Sequence, residues 1–564
     1  MRAAKGMSGR RARWAAAGLA GVAGLATLGQ VGSAGAAGQV GFAAPTYVDK
    51  ARAGGEPGII HSTKFGDLVY TAHEGTTHLD REGFAGNSIV QFLCPGLTTA
   101  DCYKNHVWIW TSDDHGASWQ LRDEGLRYTG FSDPDLSEDT SGSIYNTGID
   151  LANDSVFSSQ DGGKTWPHGN PQCHEGDRPW LAGGKAGELF MTTDTDTGGG
   201  HQLFHSSNYG DSCSGTGISD NQNFDSKSGY SGFGKLVYDR VDGSVIEPAV
   251  FHHADGTVGV GISRLANAAA AFSGGSQTFQ PVEVVHPTTV YSPFGAPLLI
   301  SMDSAENIYF AWDTDERDAN GTGGCNTAQS QPLVGGGPTP LPNHIMFVAG
   351  KHVGSGQWQF STPISLASQG SARVLWPWSV AGTAGNVSVV WYQMDRMVDP
   401  DCDLYNGQPV PGVKTFIYEA HIGNATSPGR QITVTNASGR AIHEGGICDS
   451  GTTCVATGQD RRLGDYFTNS VDANGCVIIA SGDTTVLDPA SGGLRATSLP
   501  IFIQQNRGPG LTGKDCRPAA AGSVGATTAA TSLPNTATGP NRGLLPLTAL
   551  AVMPLLSWYR RKRR

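Results

Sequence analysis

Residues 112–119 read SDDHGASW, and residues 159–166, which begin 47 positions later, read SQDGGKTW. Both segments follow the pattern Ser-x-Asp-x-Gly-x-(Ser/Thr)-Trp, with fixed positions at Ser112, Asp114, Gly116, Trp119, Ser159, Asp161, Gly163 and Trp166. The pattern describes a hairpin turn in which aspartate bonds turn amides, glycine takes a positive φ and tryptophan packs under the next strand. A decayed copy at 206–213 follows at the same spacing, and weaker ones lie at 273–279 and 354–358. Such regular spacing predicts a repeated β-sheet unit.

A second repeat gives the number of these units. A short hydrophobic strand follows a tight turn near residues 68, 144, 189, 245, 308, 387 and 477. We expect each to be the second strand of a four-stranded unit, with units starting near residues 58, 132, 177, 233, 295, 372 and 464. The last unit has three strands of its own, so residues 40–48 are expected to add the fourth. This closure of a ring removes exposed sheet edges.

The turn pattern matches the Asp-box, or bacterial neuraminidase repeat, and the chain resembles sialidase-like β-propellers over roughly residues 56–510. We therefore expect an all-β, single-domain β-propeller over residues 40–510. Seven blades are counted; six stay possible because sialidases have six. The resemblance implies that the Asp-boxes are structural and not catalytic. The 79 glycines among 564 residues fit an all-β chain with many turns.

Both ends of the chain read as targeting segments. Residues 1–36 combine a basic start, an apolar run and a small-residue Ala-x-Ala site, which predicts a secretory signal peptide. Residues 517–532 read as an Ala/Thr/Ser/Gly-rich linker. Residues 533–564 resemble a sortase sorting signal, with a hydrophobic segment, a basic tail and the motif Leu533, Pro534, Asn535, Thr536 and Ala537. We expect a secreted, cell-wall-attached protein with sortase as a partner; a membrane anchor at either end is the alternative.

Charge and cysteine content agree with export. The chain has 50 acidic and 38 basic residues, so its net charge is −12, and removing both targeting segments makes it more acidic still. An acidic chain is a poor polyanion binder, which argues against nucleic acid as a partner. Ten cysteines lie between the two ends and predict disulfides. The expected pairs are Cys94–Cys102, Cys448–Cys454 and Cys325–Cys402, and a monomer is expected.

The candidate site lies where the inner strands begin, on the face that carries the long loops. Candidate catalytic residues are Asp177, Arg178, Arg373, Arg462, Asp465 and Tyr466, and candidate ligand-binding residues are Trp376, Asp133 and Asp135. Arginine suits a sugar carboxylate, tryptophan suits sugar stacking, and paired acids suit proton transfer. The alternative is that these Asp–Arg pairs only lock neighbouring blades together.

Acidic loops offer a candidate Ca²⁺ site at Asp313, Asp315, Asp399 and Asp401, because Ca²⁺ prefers carboxylate oxygens. Solvated surface loops are the alternative, and no other cofactor is expected.

The leading functional hypothesis is a surface propeller that binds a glycan or a protein on its loop face. A glycoside hydrolase, for example an exo-sialidase, is one alternative, although the Arg-Ile-Pro motif and a clear arginine triad of that family are not found. A spacer without a ligand is the other.

Overall fold

The computed structural model describes residues 39–73, 107–122, 132–150, 153–195, 200–220, 229–232, 234–254, 257–288, 298–315, 343–354, 356–369, 372–396, 412–447, 460–487, 493–495 and 497–517. By its contacts the chain divides into Met1–Pro518 and Ala519–Arg564, and all described residues belong to the first unit.

Seven sheets, antiparallel except for one short parallel pairing, follow one another along the chain and form a seven-bladed β-propeller, which confirms the predicted fold and blade count. The first strands are β1 (Gly41–Phe42) and β2 (Thr46–Tyr47). Blade 1 contains β3 (Gly55–His61), β4 (Leu68–His73), β5 (Trp108–Ser112) and β6 (Gln120–Leu121). Blade 2 contains β7 (Ser132–Glu138), β8 (Ile144–Asp150), β9 (Asn153–Ser159) and β10 (His168–His174). Blade 3 contains β11 (Asp177–Gly183), β12 (Leu189–Thr195), β13 (Gly200–Ser206) and β14 (Ile218–Ser219).

The remaining blades have additional short strands. Blade 4 contains β15 (Gly229–Gly232), β17 (Val237–Tyr238), β18 (Val245–His252), β19 (Val258–Leu265) and β20 (Gln280–Thr288), with β16 (Gly234–Lys235) lying between β15 and β17 in the chain. Blade 5 contains β21 (Leu298–Met302), β22 (Ile308–Asp315), β23 (Asn343–Gly354), β24 (Gln357–Phe360) and β25 (Ile364–Gln369). Blade 6 contains β26 (Val374–Ala381), β27 (Val387–Met394), β28 (Lys414–Gly423), β29 (Gln431–Asn436) and β30 (His443–Glu444). Blade 7 contains β31 (Thr468–Val471), β32 (Val477–Asp483), β33 (Leu499–Pro509) and β34 (Asp515–Cys516).

The ring closes as the sequence predicted. Strands β1 and β2 both pair with β33, with Gly41 opposite Arg507 and Thr46 opposite Phe502. The outer strand of blade 7 therefore comes from the start of the propeller, and the first and last parts of the ring share one sheet.

Blade 4 has the least regular inner edge. Its first strand is divided into short pieces, and β16 pairs in parallel with β21 of blade 5. A five-residue helix, α1 (Ala268–Phe272), follows β19. Among the described residues, no helix is long and apolar enough to cross a membrane.

The Asp-box turns make the contacts that their residue types require. In the first box, Ser112 Oγ accepts the Gly116 amide at 2.8 Å and Asp114 accepts the Ser118 amide at 2.8 Å. The second box repeats these contacts, and the third keeps them with asparagine at 208 in place of aspartate. The central glycines of the boxes lie against the preceding blade; a Cβ at Gly163, for example, would be 2.9 Å from Val69. The boxes thus fix the contacts between blades.

The second repeat is a turn between the first and second strands of each blade. Its turn residue has a positive φ in every blade, and blade 5 places Glu306 where the other six blades have glycine. In blades 2 and 5 an aspartate in this turn also joins the next blade: Asp139 accepts the Gly187 amide at 2.8 Å, and Asp303 accepts the Gly385 amide at 2.7 Å. These buried bonds connect successive sheets.

Two disulfides lie among the described residues, Cys173–Cys213 between blades 2 and 3 and Cys476–Cys516 within blade 7. The sequence did not predict either pairing. The predicted pairs Cys94–Cys102, Cys448–Cys454 and Cys325–Cys402 lie outside the described residues, as do the predicted signal peptide, most of the predicted linker and the predicted sorting motif.

Candidate functional site

Four inner strands begin with the same backbone distortion. A residue directly before a proline takes a positive φ at Glu56 (46°), Asp133 (50°), Arg178 (59°) and Trp376 (51°), and the strand pairing shifts at each of these positions. A side chain before proline normally favours extended backbone, and a positive φ is strained for residues with a Cβ. Strain of this kind persists only where surrounding contacts hold it, and it is frequent at functional sites. The repeated bulge aims one side chain per blade away from the regular pleat.

Carboxyl groups from blades 1, 2 and 7 meet around Glu56, which is fully buried. Glu56 Oε1 accepts the Asp465 amide at 2.9 Å, and Glu56 Oε2 accepts the Asp133 amide at 3.3 Å. His73 Nε2, at the end of β4, lies 2.7 Å from Glu56 Oε2. These contacts bring the beginnings of three inner strands together at the axis of the ring.

Glu56, Asp133 and Asp177 form a chain of interacting carboxyl groups across blades 1, 2 and 3, which we call the carboxyl cluster. Burial, with the nearby charge of Asp465, raises the pKa of Glu56 to about 7. Burial and Glu56 raise the pKa of Asp133 to about 7, and burial and Asp133 do the same for Asp177. Asp177 itself is exposed to solvent, where the inner strands of blades 1, 2 and 3 begin, and we call the region around Glu56, Asp133 and Asp177 the funnel. The cluster therefore holds protons at neutral pH and presents one of its members to water.

The nearby cations are paired with carboxylates. Arg461 donates to Asp465 at 2.9 Å and lies 3.9 Å from Glu56, and Arg178 reaches Asp465 at 3.4 Å. Arg461 and Arg178 therefore form ion pairs with carboxylates of the protein itself.

Aromatic rings from blades 3, 6 and 7 lie next along the inner strands and meet across the axis. The Trp180 and Trp378 ring centres are 5.6 Å apart, and Tyr466 lies 5.1 Å from Trp180 and 5.7 Å from Trp378. All three side chains are buried, and the Tyr466 hydroxyl donates to the Pro134 carbonyl at 2.7 Å. These rings form an apolar floor beneath the carboxyl cluster.

Of the predicted site residues, Asp133, Asp177, Arg178 and Asp465 come together at this funnel. Asp135 is near them but buried, where it contacts Lys235 and accepts the Leu181 amide at 2.7 Å.

The other predicted side chains face the interior. Arg462 is 1% exposed, forms a bidentate pair with Asp460 and donates to the Thr484 carbonyl, and Tyr466 belongs to the floor. The Trp376 ring is 3% exposed and packs edge-on against Tyr392, because the bulge turns it inward; it has no open face for a sugar. Arg373 is also buried.

The predicted Ca²⁺ ligands are only partly described. Asp313 Oδ2 accepts the Trp376 amide at 3.2 Å, which ties blade 5 to blade 6. Asp315 is the last residue of β22, and Asp399 and Asp401 lie outside the described residues. The Ca²⁺ site stays a prediction.

Sequence reasoning missed Glu56, His73 and Arg461. The signal for Glu56 was present as an X-Pro dipeptide at the start of the inner strand, repeated in blades 1, 2, 3 and 6 at Pro57, Pro134, Pro179 and Pro377. His73 ends a hydrophobic strand and Arg461 precedes the Arg462 that was chosen, so neither had a pattern of its own.

No protein-family model matches the sequence, and no curated protein matches it. Similar solved structures include sialidases, arabinanases and lyases. A polysaccharide lyase of family PL25, an ulvan lyase, has 9% identity over 78% of this chain and 93% of that chain, with a TM-score of 0.40. An α-L-arabinanase of Penicillium chrysogenum has 12% identity over 83% and 98%, with a TM-score of 0.35. The endosialidase of phage phi92 has 10% identity over 88% and 72%, with a TM-score of 0.36. At these identities the likeness concerns the fold alone.

Proposed function

We propose that this protein binds a glycan at the funnel and hydrolyses a glycosidic bond there. Water adds to the anomeric carbon as the bond to the leaving-group oxygen breaks, and the carboxyl cluster gives a proton to that oxygen and accepts the proton that water releases. One observation carries the proposal: three carboxyl groups from three blades interact at the channel mouth with pKa values of about 7. Groups that titrate near the working pH are suited to donate and accept protons during a reaction. The resemblance of the Asp-box propeller to sialidase-like proteins suggests glycans as the ligand class.

The chemical roles follow from exposure. Asp177 is exposed and is the member that touches the ligand, so it is the candidate proton donor to the leaving-group oxygen. Glu56 and Asp133 lie behind it. After burial, the charge of Asp133 raises the pKa of Asp177, and the charge of Glu56 in turn raises the pKa of Asp133. His73 and the backbone amide of Asp465 hold Glu56 in place. Arg178, which is 23% exposed, offers guanidinium hydrogen bonds to sugar hydroxyls beside Asp177.

A neutral sugar fits this funnel better than a sialic acid. Binding a sugar carboxylate requires arginines that point at it, whereas Arg178 and Arg461 already face Asp465 and Arg462 faces Asp460. The Tyr466 hydroxyl, a candidate nucleophile, is buried against Pro134. The exo-sialidase alternative would therefore have to use arginines that already pair with carboxylates, and a tyrosine other than Tyr466.

The location of this activity is a second proposal, made from the sequence ends. We infer export through residues 1–36 and attachment to the cell wall after Thr536. Release of the protein from intact cells by a wall-degrading enzyme, and the absence of wall-linked protein when Thr536 is changed to Ala, would support it. A protein that stays with the membrane fraction after wall digestion would instead favour the membrane-anchor alternative.

The experiment is a turnover and binding comparison on a panel of neutral polysaccharides. The wild-type protein and the variants Asp177→Asn and Asp133→Asn are assayed for new reducing ends and, separately, for binding on a glycan array. Asp113→Asn, which removes an exposed carboxylate at a variable position of the first Asp-box, is the matched control. We expect turnover by wild type and Asp113→Asn, and a loss of about 10²-fold or more in the two cluster variants with binding retained.

Each other outcome decides against part of the proposal. Binding without turnover by the wild type would leave a glycan-binding protein. No glycan bound on any array would favour a protein ligand or a spacer, and equal turnover in Asp177→Asn would remove Asp177 from the reaction.

A further inference from the structure

Between blades 3 and 4 lies a buried group of three ligand-type side chains that the funnel does not use. His201 is on β13, Asp220 directly follows β14, and Glu247 is on β18. One ligand atom from each lies within 4.8 Å of the other two, and their exposed fractions are 4%, 0% and 0%. Two blades therefore bring a nitrogen and two carboxylates into one small volume away from solvent.

The charges of this group are not balanced by protein donors. His201 Nδ1 is in hydrogen-bond contact with Asp220 Oδ2. Among the described residues, no N–H or O–H donor reaches either oxygen of Glu247 or Asp220 Oδ1, and the contact between the Glu247 and Asp220 carboxyl groups requires a shared proton. Ser263 stands opposite Glu247 on β19, and its buried hydroxyl also lacks a partner there. Buried carboxylates are strongly unfavourable unless an opposite charge or a metal ion compensates them.

The backbone around the group is built for close approach. Gly232, the last residue of β15, lies against it, and a Cβ at this position would overlap Asp220 Oδ2 and come within 2.7 Å of Glu247 Oε1. Because no side chain fits there, the strand can cover the three ligand atoms directly. The cover also explains why solvent does not reach the two carboxylates.

We propose that His201, Asp220 and Glu247 bind one divalent transition-metal ion, with Zn²⁺ the expected ion. The two carboxylates balance its charge, and an imidazole nitrogen favours Zn²⁺ over Ca²⁺ or Mg²⁺, which prefer oxygen ligands. The Ser263 hydroxyl or a water would complete a four-coordinate site. The ion would join blade 3 to blade 4 where the inner edge of blade 4 is divided into short strands, so its role is structural and separate from the carboxyl cluster.

Metal content of the purified full chain tests this proposal, with Zn²⁺ alone as the probe. The protein is stripped with a chelator, dialysed against limiting Zn²⁺ and analysed by mass spectrometry of the metal. The variants are Glu247→Gln and His201→Gln. The control is Glu283→Gln, which removes the carboxylate of the His253–Glu283 pair, 2.8 Å apart, in the same blade.

We expect about one equivalent of Zn²⁺ per wild-type chain, and an affinity lower by about tenfold or more in both site variants. The control should match the wild type. Chelation should lower the melting temperature of the wild type and the control. Wild-type protein that retains no Zn²⁺, or Glu247→Gln that binds it as well as wild type does, would overturn the proposal and favour a proton shared by Asp220 and Glu247.

A variant that fails to fold does not end the test. Circular dichroism identifies that case, and the wild type then decides through Co²⁺ substitution. A Co²⁺ absorption spectrum typical of mixed nitrogen and oxygen ligands, displaced by stoichiometric Zn²⁺, supports the site; a spectrum of free aqueous Co²⁺ contradicts it.

Discussion

The substitution Glu56→Gln tests whether the buried carboxyl cluster is protonated at neutral pH. Burial and Asp465 raise the pKa of Glu56 from its ordinary value near 4.5 to about 7. In the unfolded chain Glu56 ionises near its ordinary value, whereas in the folded protein it keeps its proton up to about pH 7. Glu56 therefore contributes most to the stability of the wild type at pH values below its pKa in the unfolded chain. This contribution is lost as the pH rises through the pKa of Glu56 in the folded protein.

The size of this effect follows from the shift. Each pKa unit corresponds to about 1.4 kcal/mol, so the Glu56 shift alone costs about 3 kcal/mol at pH 8 relative to pH 4.5. Because Asp133 shares the interaction, we expect about 1–3 kcal/mol in practice. Glutamine cannot ionise, but it loses one of the acceptors that bind the Asp133 and Asp465 amides, at about 1–2 kcal/mol at every pH.

Urea unfolding of wild type, Glu56→Gln and the control Glu444→Gln, at pH 5 and pH 8, measures the effect. Glu444 is exposed on β30, so its variant should follow the wild type at both pH values. The difference in unfolding free energy between Glu56→Gln and wild type should move in favour of the variant by about 1–3 kcal/mol from pH 5 to pH 8. An unchanged difference would show that Glu56 is ionised in the folded protein and would refute the reasoning.

Three further predictions concern the propeller itself. Replacing Cys173 and Cys213 by alanine should cost about 4 kcal/mol of unfolding free energy, and replacing Cys476 and Cys516 should cost the same, because both bonds close loops with a sequence separation of 40. A clear difference between the two double variants in urea unfolding would contradict the chain-entropy estimate. Gly163 and Gly439 both have a positive φ, but a Cβ at Gly163 would lie 2.9 Å from Val69, whereas a Cβ at Gly439 would meet open space. Gly439→Ala should therefore lower the free energy of unfolding by about 1 kcal/mol, and Gly163→Ala should lower it more. Equal melting temperatures of the two variants would argue against the packing of the second Asp-box on blade 1. Asp303→Ala removes the acceptor for the Tyr309 hydroxyl and the Gly385 amide, so it should lower the free energy of unfolding in urea by about 3 kcal/mol. A loss within experimental error would show that the bond from Asp303 to the Gly385 amide does not stabilise the contact between blades 5 and 6.

The sequence was sufficient for the fold because the propeller repeats its local chemistry. The Asp-boxes and the turns before each second strand recur in residue type and spacing, and each contact they predicted is made by residues a few positions apart. Strands β1 and β2 were also predictable, since blade 7 lacked an outer strand. The pairing of Cys173 with Cys213 was not, because it depends on which turn of blade 3 faces the outer strand of blade 2.

The site was predictable only in part. Asp133, Asp177, Arg178 and Asp465 were found because they begin inner strands, but the direction of a side chain at such a position depends on the bulge before proline. That bulge turns Trp376 into the core and brings Glu56 to the axis. Arg462 could not be separated from Arg461 by sequence, since only the positions of Asp460 and Asp465 decide which arginine faces the interior.

The most direct test of the carboxyl cluster as a proton-transfer site is the pH dependence of kcat/KM for cleavage of a bound neutral glycan. For the wild type we predict a profile governed by an apparent pKa of about 7, as raised by burial and by the neighbouring carboxyls. For Glu56→Gln we predict a lower apparent pKa, because the charge that opposes ionisation of Asp133 is removed. No cleavage by the wild type, or a profile between pH 5 and 9 that is the same in Glu56→Gln, would contradict the claim.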